Sequence, residues 1–373
     1  MPALAVAAAL RARGAEVAFI GARGASASGR VAAAGYPEDA IPMRGFQRRL
    51  SLRNARTVFT TILAVPRAMR VLHRRRADVV IGAGGYVAGP VALAAWLTRR
   101  PVLLMEADSH MGVANRMAAP LARRVTLAFP LPGRTGGRYL VTGRPVAPEV
   151  VDATRTAGRR AFGIDPDATV VLVVGGSQGA RTLNVAATEA FGHDPPVDII
   201  HVAGPGQLEE ARAMLAGRDA GPRYRLIGWL DNLPDAIAAA DLVVSRSGGS
   251  VFELAAIGRP SILVPYPHAT ADHQAKNAAW LAEAGAAVVL PDGDCTGEHL
   301  RELVGALLAD RHRLEAMADA ARAVGRPEAA DRVAEEAMAL AGDGRRRGRI
   351  RRVVGRARRG AARLVPRRRR RAA

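Results

Sequence analysis

Three stretches in the second half of the chain place glycines, hydroxyls and charged groups where an apolar run gives way to a helical pattern. The first is VVLVVGGSQGAR, Val170–Arg181. Gly175, Gly176 and Gly179 let the backbone approach a ligand closely, and the amides exposed at a helix start favour a phosphate. Ser177 and Gln178 add a hydroxyl and an amide. Taken alone, an ordinary strand-to-helix turn explains this segment equally well. The second stretch runs from Ser245 to Glu253 and contains Arg246, Gly248, Gly249 and Ser250. The Glu253 carboxylate is suited to accept two hydrogen bonds from a ribose diol, although Ser250 and Glu253 also spell the S-x-x-E capping box. The third, Pro267–Asn277, is dense in donors and acceptors and suits sugar hydroxyls, with Gln274 and Asn277 as contacts. A solvated loop capped by Thr270 or Asp272 is its plainer explanation. The spacing of His268, Asp272 and His273 fits no standard ligand motif, so no metal site is expected. In the first half, Gly82–Pro90 is a further glycine-rich turn, in which Gly84, Gly85, Tyr86 and Gly89 either receive a second phosphate or simply allow tight packing.

Each of these turns must be carried by a strand. Apolar runs without polar alternation, the mark of strands buried on both faces in a parallel sheet, occur at Glu16–Ile20, Asp78–Ile81, Pro101–Met105, Arg124–Ala128 and Tyr139–Thr142. A second series comes later at Thr169–Val174, Asp198–Val202, Arg223–Ile227, Asp241–Ser245, Ser261–Val264 and Ala286–Leu290. Two such series predict an α/β protein with two doubly wound domains, whose ligands bind at the C-terminal ends of the strands. Prolines and a glycine at Thr142–Pro148 set the boundary. The expected domains are 1–145, 146–341 with a closing helix over Glu328–Leu340, and an Arg-rich tail at 342–373, disordered when free. Met1–Leu10 reads as a helix rather than a secretory leader.

The chain has 373 residues, of which 49% are hydrophobic, enough for two cores. Aromatics make up 4%, which argues against a stacking platform for single-stranded nucleic acid. Cys295 is the single cysteine, excluding a disulfide framework within the chain and fitting a reducing cytoplasm. No apolar run reaches the roughly 18 residues a bilayer span requires. Most of the net charge of +20 lies in the tail, which holds 15 arginines against one acid, Asp343. Such a tail attracts anionic lipid, and binds nucleic acid only non-specifically. Leu52–Arg76 reads either as a basic amphipathic helix able to lie on an anionic surface or as ordinary core.

Together, GGYVAGP at Gly84–Pro90, GGSQGAR at Gly175–Arg181, RSGG at Arg246–Gly249 with Glu253, and DHQAKNA at Asp272–Ala278 resemble the MurG-type transferases of peptidoglycan synthesis. The resemblance implies two facing Rossmann-like domains of the GT-B type and inverting transfer of N-acetylglucosamine from UDP-N-acetylglucosamine to a lipid-diphosphate-linked muramoyl-peptide acceptor. It implies no cofactor, and a peripheral place on the anionic inner face of the cell membrane. Ser177 with its neighbours Gly175, Gly176, Gln178 and Gly179 would meet the donor phosphates, together with Arg246, Gly249 and Ser250. Glu253 would hold the ribose, Gln274 and Asn277 the sugar, and the backbone at Trp229–Leu230 the uracil. Gly84, Gly85, Tyr86, Gly89 and Glu106 would serve the acceptor.

Three departures from the family pattern stand out. The family opens with a strand and a GGTGGHxxP loop, whereas here Pro2, Leu4, Ala5 and Ala7 match that proline and the residues after it. The first strand of the first domain is accordingly expected to be missing, and to be encoded upstream of Met1. The family's HEQN appears as Met105-Glu106-Ala107-Asp108, and its arginine after GNPV is replaced by Ala147. Glu106, Asp108 and His110 are local candidates for the general base, and nothing in the sequence chooses among them. A binding-only relative and a nucleotide-sugar epimerase remain the alternative functions.

Overall fold

The computed structural model describes residues 2–22, 28–43, 52–176, 179–269 and 272–342. The first half contains strands β1 (Phe19–Ala22), β2 (Glu38–Ile41), β3 (Val80–Gly82), β4 (Val102–Glu106), β5 (Arg124–Leu127) and β6 (Tyr139–Val141). The second contains β7 (Val170–Val174), β8 (Asp198–Val202), β9 (Tyr224–Ile227), β10 (Leu242–Ser245), β11 (Ser261–Leu263) and β12 (Ala287–Val289). The expected segments of the second half all coincide with observed strands. In the first half, Glu16–Ile20 begins three residues early, because Glu16 and Val17 precede the pairing that starts at Phe19. β2 is an addition to the expected set: its sequence, EDAI, lacks the apolar run that marks the others.

The second sheet is continuous and parallel, in the order β12-β11-β10-β7-β8-β9. Alternate residues of β7 supply two separate cores. Val170, Leu172 and Val174 pack with Ile237, Val251 and Leu254 on one face, while Val171 and Val173 pack with Leu183, Phe191 and Leu300 on the other. Helices on both faces explain why the strand sequence is apolar at every position.

The first half divides. β1 and β2 form a two-stranded parallel sheet, separate from the parallel sheet β3-β4-β5-β6. Leu104 and Val102 face a core with Ala64, Ala68 and Val91. Leu103 and Met105 point the other way, against Val6 and Leu10 of the opening helix Pro2–Ala12. The same cluster takes Val333, Ala334 and Ala337 from a helix over residues 329–342, so the end of the described chain returns to the first half. Arg13 to Asp331 at 2.6 Å and Arg124 to Glu336 at 2.9 Å fasten that crossing.

The chain thus passes between the halves twice, near Gly143 and near Gly325. The passages touch: a β-carbon on Gly143, whose φ is +86°, would lie 2.6 Å from the Arg326 Cβ. Beside them Phe129, Phe252 and Trp280 meet with ring centroids 5.0–5.2 Å apart and line a cavity of about 200 Å³. Among the described residues no helix is long and apolar enough to cross a membrane.

Candidate functional site

The three second-half turns all leave the C-terminal ends of strands, after β7, β10 and β11. β7 and β10 are neighbours, as are β10 and β11, which brings the turns to one edge of the sheet. The first turn rests on the one after β8. Gly179, at φ +76°, packs so closely that a β-carbon would lie 2.4 Å from the Ala203 carbonyl oxygen and 3.0 Å from Gln207 Cδ. A buried hydrogen-bond chain holds that seat. Asn184 donates Nδ2–H to Ala203 O at 3.0 Å and to Gln207 Oε1 at 2.8 Å, which leaves its Oδ1 to accept from His201 Nε2 at 3.0 Å. His201 Nδ1 then accepts from the Tyr224 hydroxyl at 2.7 Å. Burial pushes the His201 pKa down to about 4, in keeping with a neutral ring. Ser177 and Gln178 lie outside the described residues.

The second turn resolves one alternative. Ser250 makes no side-chain cap to the helix Val251–Ile257. Its hydroxyl is directed at Arg246 O, 3.4 Å away, so the capping box is not formed. Among the described residues no hydrogen-bond donor meets the Glu253 carboxylate. Burial raises its pKa, opposed by the Arg144 charge. A partly buried carboxylate that meets no donor among the described residues can accept from a ligand that brings them, as a vicinal diol does. Arg246 is differently placed: its guanidinium is buried in an ion pair with Asp292 and donates to Val264 O at 3.2 Å. In this arrangement it braces the ends of β10 and β11.

The third turn leads into the helix His273–Glu283. Asp272 stands before it at φ +55° and makes no side-chain cap, while Thr270 lies outside the described residues. Asn277, 4% exposed, donates to Ser247 O at 3.0 Å and Gly248 O at 3.3 Å, tying this helix to the second turn. Gln274 Oε1 accepts from Tyr266 N at 3.0 Å. Trp229, half exposed after β9, donates to Asp231, and Leu230 packs into the core.

In the first half, Gly84 and Gly85 open the helix Gly85–Leu97 after β3, with Tyr86 exposed and Gly89 inside the helix. Glu106 ends β4 and is buried. Its oxygens accept from Gly112 N at 2.9 Å, Asn115 Nδ2 at 2.9 Å and Asp108 N at 3.2 Å. Such a carboxylate shapes the 107–112 loop. Asp108 pairs with Arg144 at 3.4 Å. Among the described residues no group of His, Cys, Asp and Glu is arranged to hold a metal.

Sequence reasoning passed over Arg144, the residue that joins these two faces. It comes directly after Gly143 in the first passage between halves. Its Nη1 donates to Ala107 O at 2.8 Å, and its Cζ lies 5.5 Å from the Phe252 ring centre. The one available signal was an arginine inside the boundary segment TGRPVAP.

Residues 1–127 match the glycosyltransferase family 28 N-terminal domain, and residues 170–333 the C-terminal domain of that family. The chain is 37% identical over 348 residues to the UDP-N-acetylglucosamine--N-acetylmuramyl-(pentapeptide) pyrophosphoryl-undecaprenol N-acetylglucosamine transferase of Salinibacter ruber, covering 91% of this chain and 93% of that protein. It is 41% identical over 340 residues to the protein of the same name from Alkalilimnicola ehrlichii, covering 89% and 93%. The crystal structure of Acinetobacter baumannii MurG superposes with a TM-score of 0.73 at 30% identity, covering 90% of this chain and 95% of that one. A UDP-N-acetylglucosamine 2-epimerase reaches a TM-score of 0.64 at 17% identity over 90% and 92%, a likeness of fold alone. Matched along both halves, the chain belongs to glycosyltransferase family 28, among its MurG-type members.

Proposed function

We propose that the chain transfers N-acetylglucosamine from UDP-N-acetylglucosamine to a lipid-diphosphate-linked muramoyl-peptide, a step of peptidoglycan synthesis and so of cell-wall growth, shape and division. The observation that carries the donor assignment is the convergence of three turns at the C-terminal ends of neighbouring strands, with a partly buried carboxylate, Glu253, that no donor among the described residues satisfies. The proposed chemistry is direct displacement at the anomeric carbon. The bond to the diphosphate breaks as the acceptor oxygen attacks, negative charge grows on the departing UDP, and amides at Gly175, Gly176, Gly249 and Ser250 stabilise it. A base must take the proton of the acceptor hydroxyl. Glu106 is engaged by the 107–112 loop, and we assign no residue to that role.

A peripheral place on an anionic membrane belongs to the same reading. Three neighbouring helices, Leu52–Arg74, Gly85–Leu97 and Val113–Ala118, leave Ile62, Trp96, Leu97, Val113 and Met117 exposed. Arg67, Arg70 and Arg116 are exposed on the same helices. Exposed apolar side chains with exposed arginines on the same helices suit an interfacial surface. The side chain of Phe59, on the same basic helix, and the tail from residue 343 onward lie outside the described residues.

The test is incubation of the full chain with sugar-labelled UDP-N-acetylglucosamine and a lipid-linked acceptor in anionic vesicles. Label passing into the lipid phase only when acceptor is present supports the proposal. Release of N-acetylmannosamine and UDP without lipid labelling would assign an epimerase instead.

A further inference from the structure

The second turn of the donor side has an unusual neighbour. A β-carbon on Gly249 would lie 2.8 Å from Arg144 Nη2, 3.2 Å from Cζ and 3.5 Å from Nε. The guanidinium therefore lies against the Gly249 backbone, in space that any side chain at 249 would fill. Arg144 belongs to the passage between the halves, not to the turn it covers.

Its five N–H groups are unevenly used. Nη1 is held by Ala107 O at 2.8 Å and approaches Asp108 Oδ1 at 3.4 Å, both on the 107–112 loop of the first half. Among the described residues, Nε–H and the Nη2 hydrogens have no acceptor. The Nε–Nη2 edge is the one that presents two parallel donors, the fork that matches two oxygens of a phosphate. Gly249 lies over the face of the guanidinium, nearest Nη2, and so does not block that edge. The side chain is only 21% exposed, so this cation is partly removed from water and attracts an anion more strongly than a surface arginine. Of the other arginines at these turns, Arg246 pairs with Asp292 and Arg181 with Glu210, whereas Arg144 meets Asp108 through Nη1 alone.

We infer that Arg144 is the arginine that grips the donor diphosphate, and that the acceptor-side loop holds it in place through Ala107 and Asp108. Recognition of donor charge is thereby coupled to the opposite half of the molecule. A residue on the passage between halves, bonded to one and facing the other, adjusts whenever the cleft changes width. The inference rests on the donor site proposed above and adds to it a specific residue and a coupling.

The experiment is calorimetric titration of the full chain with UDP and with uridine, probes that differ by the diphosphate. The expected result for Arg144→Ala is a loss of about tenfold or more in UDP affinity, the usual scale for a charge-assisted pair, with uridine affinity unchanged. Arg144→Lys, which keeps the charge without the fork, should recover part of the loss. Asp108→Ala should weaken UDP binding in the wild-type background and add nothing in the Arg144→Ala background, the signature of two residues acting through one contact. Three results would overturn the inference: unchanged UDP affinity in Arg144→Ala, an equal loss for UDP and uridine, or additive losses in the double variant. Failure of the wild-type chain to bind UDP more tightly than uridine is a different result, and would remove the donor site itself.

Discussion

The two halves share an architecture and differ in completeness. The second half has six strands in one continuous parallel sheet, with both faces of β7 in sealed cores. The first half has its strands in two sheets, and the final described helix lies across it, fastened by Arg13–Asp331 and Arg124–Glu336. Those pairs are between partly exposed groups and contribute little individually. Most of the attachment comes from Val333, Ala334 and Ala337 against Leu103 and Met105. The comparison suggests a division of labour. The second half carries a continuous frame of its own, while the first half is completed by segments that cross between halves.

The largest expected effect tests that frame. Leu172, fully buried at the centre of β7, should cost about 2–5 kcal/mol when changed to Ala, the range for truncating a sealed core leucine. Ile20 in β1, only partly buried, should cost clearly less. Denaturant unfolding of both variants checks this, and equal losses would erase the contrast between the halves.

Next comes the buried histidine. The His201 pKa is depressed from 6.5 to about 4, so the unfolded chain binds the extra proton first. The stability gained by keeping the ring neutral is fully present above pH 6.5 and drains away as pH falls toward 4, a loss of about 3 kcal/mol. His201→Gln should flatten that part of the stability–pH curve. An unchanged slope would show that other groups cause it.

Much of this frame is legible in the sequence, because a strand buried on both faces must be apolar at every position, as VVLVV in β7 is. β2 escapes notice for the converse reason: Glu38 and Asp39 sit in a strand with one pairing neighbour, where charge is tolerated. At the site, composition and spacing located the three turns but could not say which polar groups the protein keeps for itself. Glu253 meets no donor among the described residues, whereas Arg246, Asn277 and Glu106 are engaged by Asp292, by Ser247 and Gly248, and by the 107–112 loop. Arg144 was hidden because its partners Ala107 and Gly249 lie far from it in sequence, and only the packing of the passage brings them together.

A smaller effect separates ligand binding from folding within the donor half. Glu253→Ala should weaken UDP-N-acetylglucosamine binding by about 1–3 kcal/mol and leave the ligand-free melting temperature nearly unchanged, since Ser250 forms no capping box with it. Unaltered affinity in calorimetry would dismiss the ribose role.

The remaining effects concern the surface and the tail, and vanish as salt rises. Met117→Asp, at a site 75% exposed, should reduce sedimentation with anionic vesicles while leaving folding intact. Truncation after Gly342 should do the same most clearly at low salt, where each arginine near the surface adds about 1 kcal/mol. Equal binding of full-length and shortened chains at low salt would remove the tail from any membrane role.

The central claim is that the donor is held by the second half, at the C-terminal ends of β7, β10 and β11. Amide hydrogen exchange of the full chain, with and without UDP-N-acetylglucosamine, tests it without any substitution. Exchange should slow within Gly175–Gly179, Gly248–Glu253 and Gln274–Asn277, with Gly84–Gly89 unaffected. Protection centred on Gly84–Gly89, with the second-half turns unchanged, would contradict it.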